Sequence, residues 1–197
     1  MERDYRSTMR IVLPSCTEAE LAHPTSGVAS AGLVIAPDIF GLRPLYDEMV
    51  QRLADEWEMT VVAVEPFPGR DLGPDIEPRA AAVPSLDDAM HLRDLLEGAD
   101  ACADDTVGLL GYCMGGMYCH KAAISDRFHR IVSFYGMIRV PPQWQGPHHG
   151  EPLDYLRRGH ADRVLAIIGE QDHYTPGDDV ATLEATGVTV VRYPDAE

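Results

Sequence analysis

Six short runs of aliphatic and β-branched residues alternate with stretches of helical periodicity, and this alternation constrains the fold most. The runs are residues 33–36, 60–64, 106–110, 130–134, 164–168 and 188–192. Apolar strands that lack inside–outside alternation are buried on both faces, so the runs predict a mainly parallel sheet. Residues 45–57, 85–96 and 116–123 have apolar residues at helical spacing and predict helices on both faces. The predicted fold class is therefore α/β, with residues 8–13 as an additional early antiparallel strand.

Composition narrows the class of protein further. A chain of 197 residues, of which 45% are hydrophobic, predicts a single domain over residues 1–197 with a sizeable core. The formal net charge of −16 disfavours nucleic acid and anionic membrane surfaces as partners. The charged start MERDYRSTMR is unlike a secretory signal, and no apolar run has the length of a membrane span. We therefore expect a soluble, cytoplasmic protein, with the oligomeric state left open.

The four cysteines predict neither disulfides nor a metal site. They form no C-x-x-C pair, and no cysteine and histidine share the spacing of a zinc site. Cys16, Cys102 and Cys119 are interpreted as buried or incidental thiols.

Two segments rich in proline and glycine interrupt the pattern, at residues 66–84 and 141–159. Both follow the carboxyl end of a predicted strand, where open α/β sheets bind their ligands. They are candidate pocket walls, and the alternative is that they are ordinary surface connections.

The stretch GYCMGG, residues 111–116, follows the predicted strand at 106–110. It has the pattern of the nucleophile elbow G-x-S-x-G with Cys113 in place of the serine. At such a turn a cysteine gains an exposed sulfur, a helix amino terminus that favours the thiolate, and backbone N–H groups facing a reacting carbonyl. The alternative is that Cys113 is a buried structural cysteine.

Two further stretches occupy informative places. IGEQDHYTP, residues 168–176, follows a late predicted strand, and PDIFG, residues 37–41, follows an early one. When the nucleophile lies at an elbow, the acid of a catalytic triad follows it in the chain, just beyond a later strand, which is the place of Asp172. The turn after the early strand supplies the second N–H of the oxyanion hole.

Together the three stretches resemble the dienelactone hydrolase family, whose members carry a G-x-C-x-G elbow, an E/D-I-F-G turn and a G-x-x-D-x-x-x-P acid loop. The resemblance runs from about Gly32 to the end and implies an α/β-hydrolase fold. It implies that Cys113 is the nucleophile and Asp172 the triad acid. It also implies an oxyanion hole formed by the N–H groups of Ile39 and Met114.

The resemblance implies three further site residues. In several members a glutamate before Ile-Phe-Gly pairs with the resting cysteine and takes part in its activation; here Asp38 is one methylene shorter and serves either that role or only the turn. Tyr135, in Phe-Tyr-Gly, is a pocket residue. The arginine that binds a substrate carboxylate is expected from residues 66–84, where Arg79 is preferred to Arg70.

The base of the triad is expected beyond the given residues. The family histidine follows the last strand in a context like Y-P-x-A-x-H, and this sequence ends on Tyr-Pro-Asp-Ala-Glu at Glu197. We therefore expect a domain that is incomplete at its carboxyl end and lacks the helix covering one sheet face. His173 is a poor substitute because it adjoins Asp172, and His120 is interpreted as a residue of the helix face. For the chain as given, we expect slow or absent turnover, with Cys113 as the site of any acylation.

The predicted function is hydrolysis of a small lactone or ester through a cysteine acyl-enzyme, with no cofactor and no metal. One alternative is a non-catalytic scaffold of the same fold that binds a small molecule or a partner protein. Another is a carboxylesterase with the same mechanism and a different substrate, because the fold alone does not select the substrate.

Overall fold

The computed structural model describes residues 8–196, and eight strands within that range form one sheet. The strand order is β1-β2-β4-β3-β5-β6-β7-β8. β1 pairs antiparallel with β2 and β2 antiparallel with β4, whereas all other neighbours are parallel. The strands are β1 Met9–Val12, β2 Glu18–Ala22, β3 Ala31–Ala36, β4 Met59–Val64, β5 Val107–Tyr112, β6 Phe128–Phe134, β7 Val164–Gly169 and β8 Thr189–Tyr193. The mainly parallel α/β sheet predicted from the sequence is confirmed.

The six predicted parallel strands and the early antiparallel strand are present, with ends that differ by about two residues. The sequence prediction missed β2, Glu18–Ala22, whose sequence EAELA consists of residues that are uncommon in strands. β2 forms because it lies between β1 and β4, and its Glu20 pairs with Arg10 at 2.9 Å.

Six α-helices connect the strands of the described region: α1 Pro44–Trp57, α2 Ile76–Ala82, α3 Asp88–Ala101, α4 Met114–Ala122, α5 Pro152–Arg158 and α6 Gly177–Glu184. The three predicted helices correspond to α1, α3 and α4. The short helices α2 and α5 lie inside the two proline- and glycine-rich segments, and α6 was not predicted. No helix among residues 8–196 has both the length and the apolar character that a bilayer crossing requires.

The two faces of the sheet are covered unequally. One face packs on α3, α4, α5 and α6, and the other packs on α1 through Val50 and Leu53. Strand register places further apolar residues on the α1 face, toward the β8 edge. Of these, Phe134 and Ile167 are half-buried and Val191 is exposed. Within residues 8–196, this half of the face is therefore incompletely covered. The sequence predicts uncovered apolar surface here, because the helix that would follow the last strand is not among these residues.

A buried ion pair fixes α4 against α3. Lys121 Nζ lies 2.7 Å from Asp88 Oδ1, and the Lys121 side chain is fully buried. The second Asp88 oxygen accepts hydrogen bonds from Gly150 N–H at 2.8 Å and from the Tyr155 hydroxyl at 3.0 Å. Burial lowers the pKa of Lys121, and the Asp88 carboxylate opposes that shift. Removing one partner of such a pair costs about 3–5 kcal/mol, so α4 has a firmly held carboxyl-terminal end.

Two buried histidines, one on α3 and one on α4, are neutral. His91 on α3 stacks on Tyr118, with ring centroids 3.8 Å apart. His120 on α4 is fully buried, and neither of its ring nitrogens has a well-aligned hydrogen-bond partner. Burial lowers the pKa of each to about 4, and for His120 the Met137 carbonyl opposes the shift.

We expect His120 to make stability depend on pH. Because its pKa is lower in the folded chain, the unfolded chain binds the proton first, so stability is complete above about pH 6.5 and falls as the pH drops toward 4. Urea unfolding should show that the unmodified chain loses about 2 kcal/mol more between pH 7 and pH 5 than a His120→Leu variant. His129→Leu, at an exposed position of β6, is the control and should keep the loss. An equal loss in His120→Leu would contradict the assignment.

Candidate active site

Cys113 lies at the turn between β5 and α4, with φ of 55° and ψ of −117°. A positive φ at a residue other than glycine costs about 1–3 kcal/mol, so surrounding contacts must hold it. The Cys113 N–H donates to the Phe134 carbonyl at 3.1 Å, and its own carbonyl accepts from Met117 N–H at 3.0 Å. The strained turn thus projects the sulfur from the carboxyl edge of the sheet.

The glycines of the GYCMGG stretch allow α4 to begin directly against the sheet. A Cβ at Gly115 would collide with the backbone carbonyls of Ala36 and Pro37. A Cβ at Gly116 would lie 2.7 Å from the Cα of Gly136. The first turn of α4 therefore touches the chain that leaves β3, which brings the turn at residues 37–41 beside Cys113.

Two backbone N–H groups face the Cys113 sulfur, one from Met114 and one from Ile39. They come from separate elements, the start of α4 and the turn after β3, and both residues are buried. Paired N–H groups in this arrangement can hold the negative oxygen of a tetrahedral intermediate. The structure thus brings together the two residues that the sequence predicts for the oxyanion hole.

The thiol itself is not ionised at neutral pH. Burial raises the pKa of Cys113 to about 11, and the carboxylates of Asp38 and Asp172 raise it further. The N–H groups of Met114 and Ile39 lower the pKa, as expected at a helix start, but burial and the two negative charges outweigh them. The thiolate that the sequence favours at this position therefore needs a base, or displacement of a nearby charge, to form.

Asp38 is held within its own turn. Its two carboxylate oxygens lie 2.7 and 2.8 Å from the guanidinium nitrogens of Arg43, and one of them also accepts from Phe40 N–H at 2.9 Å. The Asp38 N–H donates to the Tyr46 hydroxyl at 2.8 Å. Asp38 therefore acts on Cys113 as a neighbouring charge, and its hydrogen bonds shape the turn.

Glu65, which follows β4 directly, is a site residue that the sequence prediction missed. Its carboxylate accepts from Leu42 N–H at 2.9 Å and from Phe67 N–H at 3.0 Å. Gly41 has φ of 67°, and a Cβ there would lie 2.7 Å from Glu65 Oε1. Glu65 thereby fixes the carboxyl end of the turn at residues 37–41, which we call the oxyanion turn. Its place directly after a buried strand was the signal that could have identified it.

Asp172 lies on the loop after β7 and is half-buried. Its carboxylate accepts from Tyr174 N–H at 2.8 Å, and its charge raises the pKa of Cys113, where burial is the larger cause. The preceding residue, Gln171, donates its N–H to the Ala196 carbonyl at 2.9 Å. The segment after β8 therefore lies against the loop that carries Asp172.

None of the eight histidines, all of which lie within residues 8–196, forms a hydrogen bond or ion pair with Asp172 or Cys113. His173 follows Asp172, but its ring stacks on Tyr174 with centroids 4.0 Å apart. The others with side-chain partners are engaged elsewhere: His23 with Thr60, His91 and His149 with Tyr118, His148 with Asp87, and His160 with Asp126. The described residues thus place the Asp172 charge near Cys113 with no histidine bonded to either of them.

Tyr135 lies at the mouth of the site, directly after β6. It has φ of 39°, and 43% of the residue is exposed. Burial raises the pKa of its hydroxyl to about 12, and the nearby Cys113, which is ionised at so high a pH, and Asp38 add to the shift. The structure thus places the partly exposed Tyr135 within range of the charge of Cys113, directly after β6.

Arg79 lies nearer the site than Arg70. Its Nη1 donates to the Ile39 carbonyl at 3.3 Å, and its Nε donates to the Gly73 carbonyl at 3.0 Å. Arg70 instead bonds to the hydroxyl of Ser85 at 2.7 Å. Both arginines line a groove of about 620 Å³ that also includes Leu42, the residue that follows the oxyanion turn. No group of three or more metal-binding side chains clusters in the described part of the chain.

Known proteins are similar to this chain in sequence. The chain is 26% identical over 159 residues to carboxymethylenebutenolidase 2 of Cupriavidus pinatubonensis. It is 29% identical over 163 residues to a probable 2-oxo-3-(5-oxofuran-2-ylidene)propanoate lactonase of Bradyrhizobium sp. Each match covers 78% of this chain and 64% of the relative, so the matched region spans less than two thirds of either relative.

The fold also has counterparts among solved structures. A putative dienelactone hydrolase from Klebsiella pneumoniae superimposes with a TM-score of 0.78 at 21% identity, over 96% of this chain and 85% of that one. The shared architecture is the α/β-hydrolase fold. The sequence model of the dienelactone hydrolase family matches residues 17–196, nearly the whole chain, and the protein therefore belongs to the dienelactone hydrolase family.

Proposed function

We propose that this chain carries the nucleophile, the triad acid and the oxyanion hole of a hydrolase that cleaves a small lactone or ester through an acyl-enzyme on Cys113. The observation that carries the proposal is the convergence of the Met114 and Ile39 N–H groups on the Cys113 sulfur. The names of the relatives, a carboxymethylenebutenolidase and a lactonase, support a lactone as the substrate class.

In the proposed reaction, the Cys113 thiolate attacks the carbonyl carbon and the electron pair moves to the carbonyl oxygen. The N–H groups of Ile39 and Met114 stabilise that oxygen while the carbon–sulfur bond forms. Collapse of the intermediate breaks the ester carbon–oxygen bond, and the alkoxide takes up a proton. Water then attacks the thioester, which releases the acid and restores the thiol.

Both half-reactions need a base: acylation because the pKa of Cys113 is raised to about 11, chiefly by burial, and deacylation because water must lose a proton as it attacks the thioester. We propose that Asp172 orients a histidine supplied from outside residues 8–196. The hydrogen bond from Gln171 N–H to the Ala196 carbonyl supports this assignment, since residues that followed Glu197 in a longer chain would start beside the acid loop. Without such a histidine, acylation is slow and hydrolysis of the thioester slower still.

Arg79 is the proposed contact for a substrate carboxylate. Its hydrogen bond to the Ile39 carbonyl holds the guanidinium beside the oxyanion turn, while Arg70 is bonded to Ser85. A charge-assisted hydrogen bond from an arginine to a carboxylate contributes about 1.5–3 kcal/mol. Tyr135, exposed at the mouth of the site, is the proposed second wall of the pocket.

The proposed partner class of the protein is inferred from its composition. The net charge of −16 supports a small molecule, and neither nucleic acid nor an anionic membrane, as the partner. A cytoplasmic location and a mechanism without cofactor or metal are part of the same proposal.

Exposure to 4-nitrophenyl acetate should leave one acetyl group on Cys113, because an activated ester needs little help from a base. Intact-mass analysis followed by peptide mapping measures the site and extent of acylation. Cys113→Ala should abolish the adduct, and Cys16→Ala, at an exposed thiol, should retain it. Acetylation confined to Cys16 would favour the non-catalytic scaffold.

Added imidazole should accelerate deacylation about tenfold or more, since general bases contribute about 10²–10⁴-fold in enzymes. Stopped-flow release of 4-nitrophenol would show a burst of one equivalent, then a slow phase that rises with imidazole. In Asp172→Asn, imidazole should increase the rate of the slow phase less. The hydrolysis rate of a free thioester in imidazole gives the increase that occurs without the protein. Rapid multiple turnover without imidazole would show that the chain already has its base, and His173→Ala would then test His173.

Arg79→Gln should lower the preference for a carboxylated lactone over its neutral analogue by about tenfold or more, the equivalent of one charge-assisted bond. The ratio of the two second-order acylation rates measures that preference and cancels general effects on the nucleophile. Arg70→Gln removes the same charge from the same groove and should change the ratio little. If Arg70→Gln has the larger effect, the carboxylate contact is assigned to the wrong arginine.

A further inference from the structure

The ion pair between Arg43 and Asp38 has no part in the reaction proposed above, although it lies beside the nucleophile. Arg43 is the last residue before α1, and its guanidinium binds both oxygens of Asp38 at 2.7 and 2.8 Å. The guanidinium also lies 5.4 Å from the ring centroid of Phe40 and 5.1 Å from that of Tyr46. Paired contacts with a fixed carboxylate and two rings give the guanidinium a defined place.

This pair fixes one particular peptide group, the one that joins Asp38 to Ile39. Its N–H is the Ile39 donor that faces the Cys113 sulfur. On one side, Asp38 is held through its N–H by Tyr46 and through its carboxylate by Arg43. On the other side, Phe40 N–H donates to the same carboxylate. The direction of the Ile39 N–H therefore depends on where Arg43 holds the Asp38 side chain.

The pair also sets the charge around the sulfur. The titratable groups that interact electrostatically with Cys113 are Asp38 from the turn after β3, Asp172 from the loop after β7, and the Tyr135 hydroxyl from the end of β6. Two of the three are carboxylates. Arg43 is the positive group paired with one of them, and its side chain is about two-thirds buried, so solvent screens the pair incompletely.

We propose that Arg43 is a positioning residue for Cys113 that acts through Asp38: it keeps the Asp38 carboxylate folded on its own turn, where its charge is compensated and the Ile39 N–H faces the sulfur. The proposal rests on the proposed function only in that Cys113 is taken as the nucleophile. Arg43 touches neither the sulfur nor the substrate in this assignment.

Two reactions of Cys113 separate the effect of Arg43 on the charge near the sulfur from its effect on the position of the Ile39 N–H. Alkylation by iodoacetamide depends on the thiolate and uses no oxyanion hole, whereas acylation by 4-nitrophenyl acetate uses both. At pH 8, Arg43→Met should slow alkylation of Cys113 about threefold, because the uncompensated Asp38 charge disfavours the thiolate. It should slow acylation about tenfold or more, because the Ile39 N–H is no longer held. Peptide mapping measures Cys113 against Cys16, the exposed thiol in the same sample.

The decisive test is whether the effect of Arg43→Met on alkylation depends on the Asp38 carboxylate. Asp38→Asn should speed alkylation of Cys113, and adding Arg43→Met to that variant should not change alkylation further. Arg43→Lys keeps the charge but binds only one oxygen, so it should preserve alkylation and lose acylation. If Arg43→Met does not fold, the Arg43→Lys comparison still tests the proposal.

The matched control is Arg157→Met, which removes an exposed arginine ion-paired with Asp154 on α5. It should leave both reactions unchanged. The proposal is overturned if Arg43→Met alkylates like Arg157→Met, or if its effect persists in full with Asp38→Asn. Failure of the unmodified chain to acylate would count against the proposed hydrolase, while the alkylation series would still decide the role of Arg43.

Discussion

The site depends on one close contact, the packing of the first turn of α4 against the chain that leaves β3. Gly115 touches the carbonyls of Ala36 and Pro37, and no side chain larger than hydrogen fits between them. Because of this contact, the amino terminus of α4 and the turn at residues 37–41 meet at the Cys113 sulfur, each supplying one N–H. The ion pair between Lys121 and Asp88 anchors the other end of α4, so the helix is fixed at both ends. The geometry that can stabilise an oxyanion is thus a result of backbone packing, and the side chains around it adjust its charge.

The electrostatics of the site disfavour ionisation of the Cys113 thiol. A helix amino terminus ordinarily favours a thiolate, yet here burial and two nearby carboxylates raise the pKa of Cys113 to about 11. The same Asp172 charge that disfavours a thiolate would favour a protonated histidine placed between them. In a thiolate–imidazolium pair, the positive ring would lie between the thiolate and the Asp172 carboxylate and would stabilise both negative charges. The arrangement in residues 8–196 is therefore suited to a base that carries positive charge after it takes the proton of the thiol.

Features that depend on residues close together in the sequence were predictable, whereas features that depend on contacts between distant segments were not. The parallel strands were predictable because runs such as residues 60–64 are continuous and apolar, and the elbow was predictable because glycine spacing records close packing. β2 was missed because its stability comes from its neighbours β1 and β4, which a local reading of EAELA cannot include. Glu65 was missed for a similar reason, since its two N–H partners, Leu42 and Phe67, lie on separate loops. The roles inferred for Asp38 and Arg79 depended on the resemblance, because nothing in their local sequence fixes their partners.

The aspartate at position 38 explains why Arg43 matters here. With one methylene fewer than a glutamate, the carboxylate of Asp38 reaches the Phe40 N–H two residues ahead, a local bond that aspartate forms readily in turns. A carboxylate that closes its own turn is less available to reach across to Cys113, but its charge remains close to the sulfur. The bidentate contact with Arg43 both completes the hydrogen bonding of the carboxylate and offsets that charge. The shorter side chain and the arginine five residues later thus form one unit, in which the carboxylate shapes the oxyanion turn and the guanidinium limits its electrostatic effect on the nucleophile.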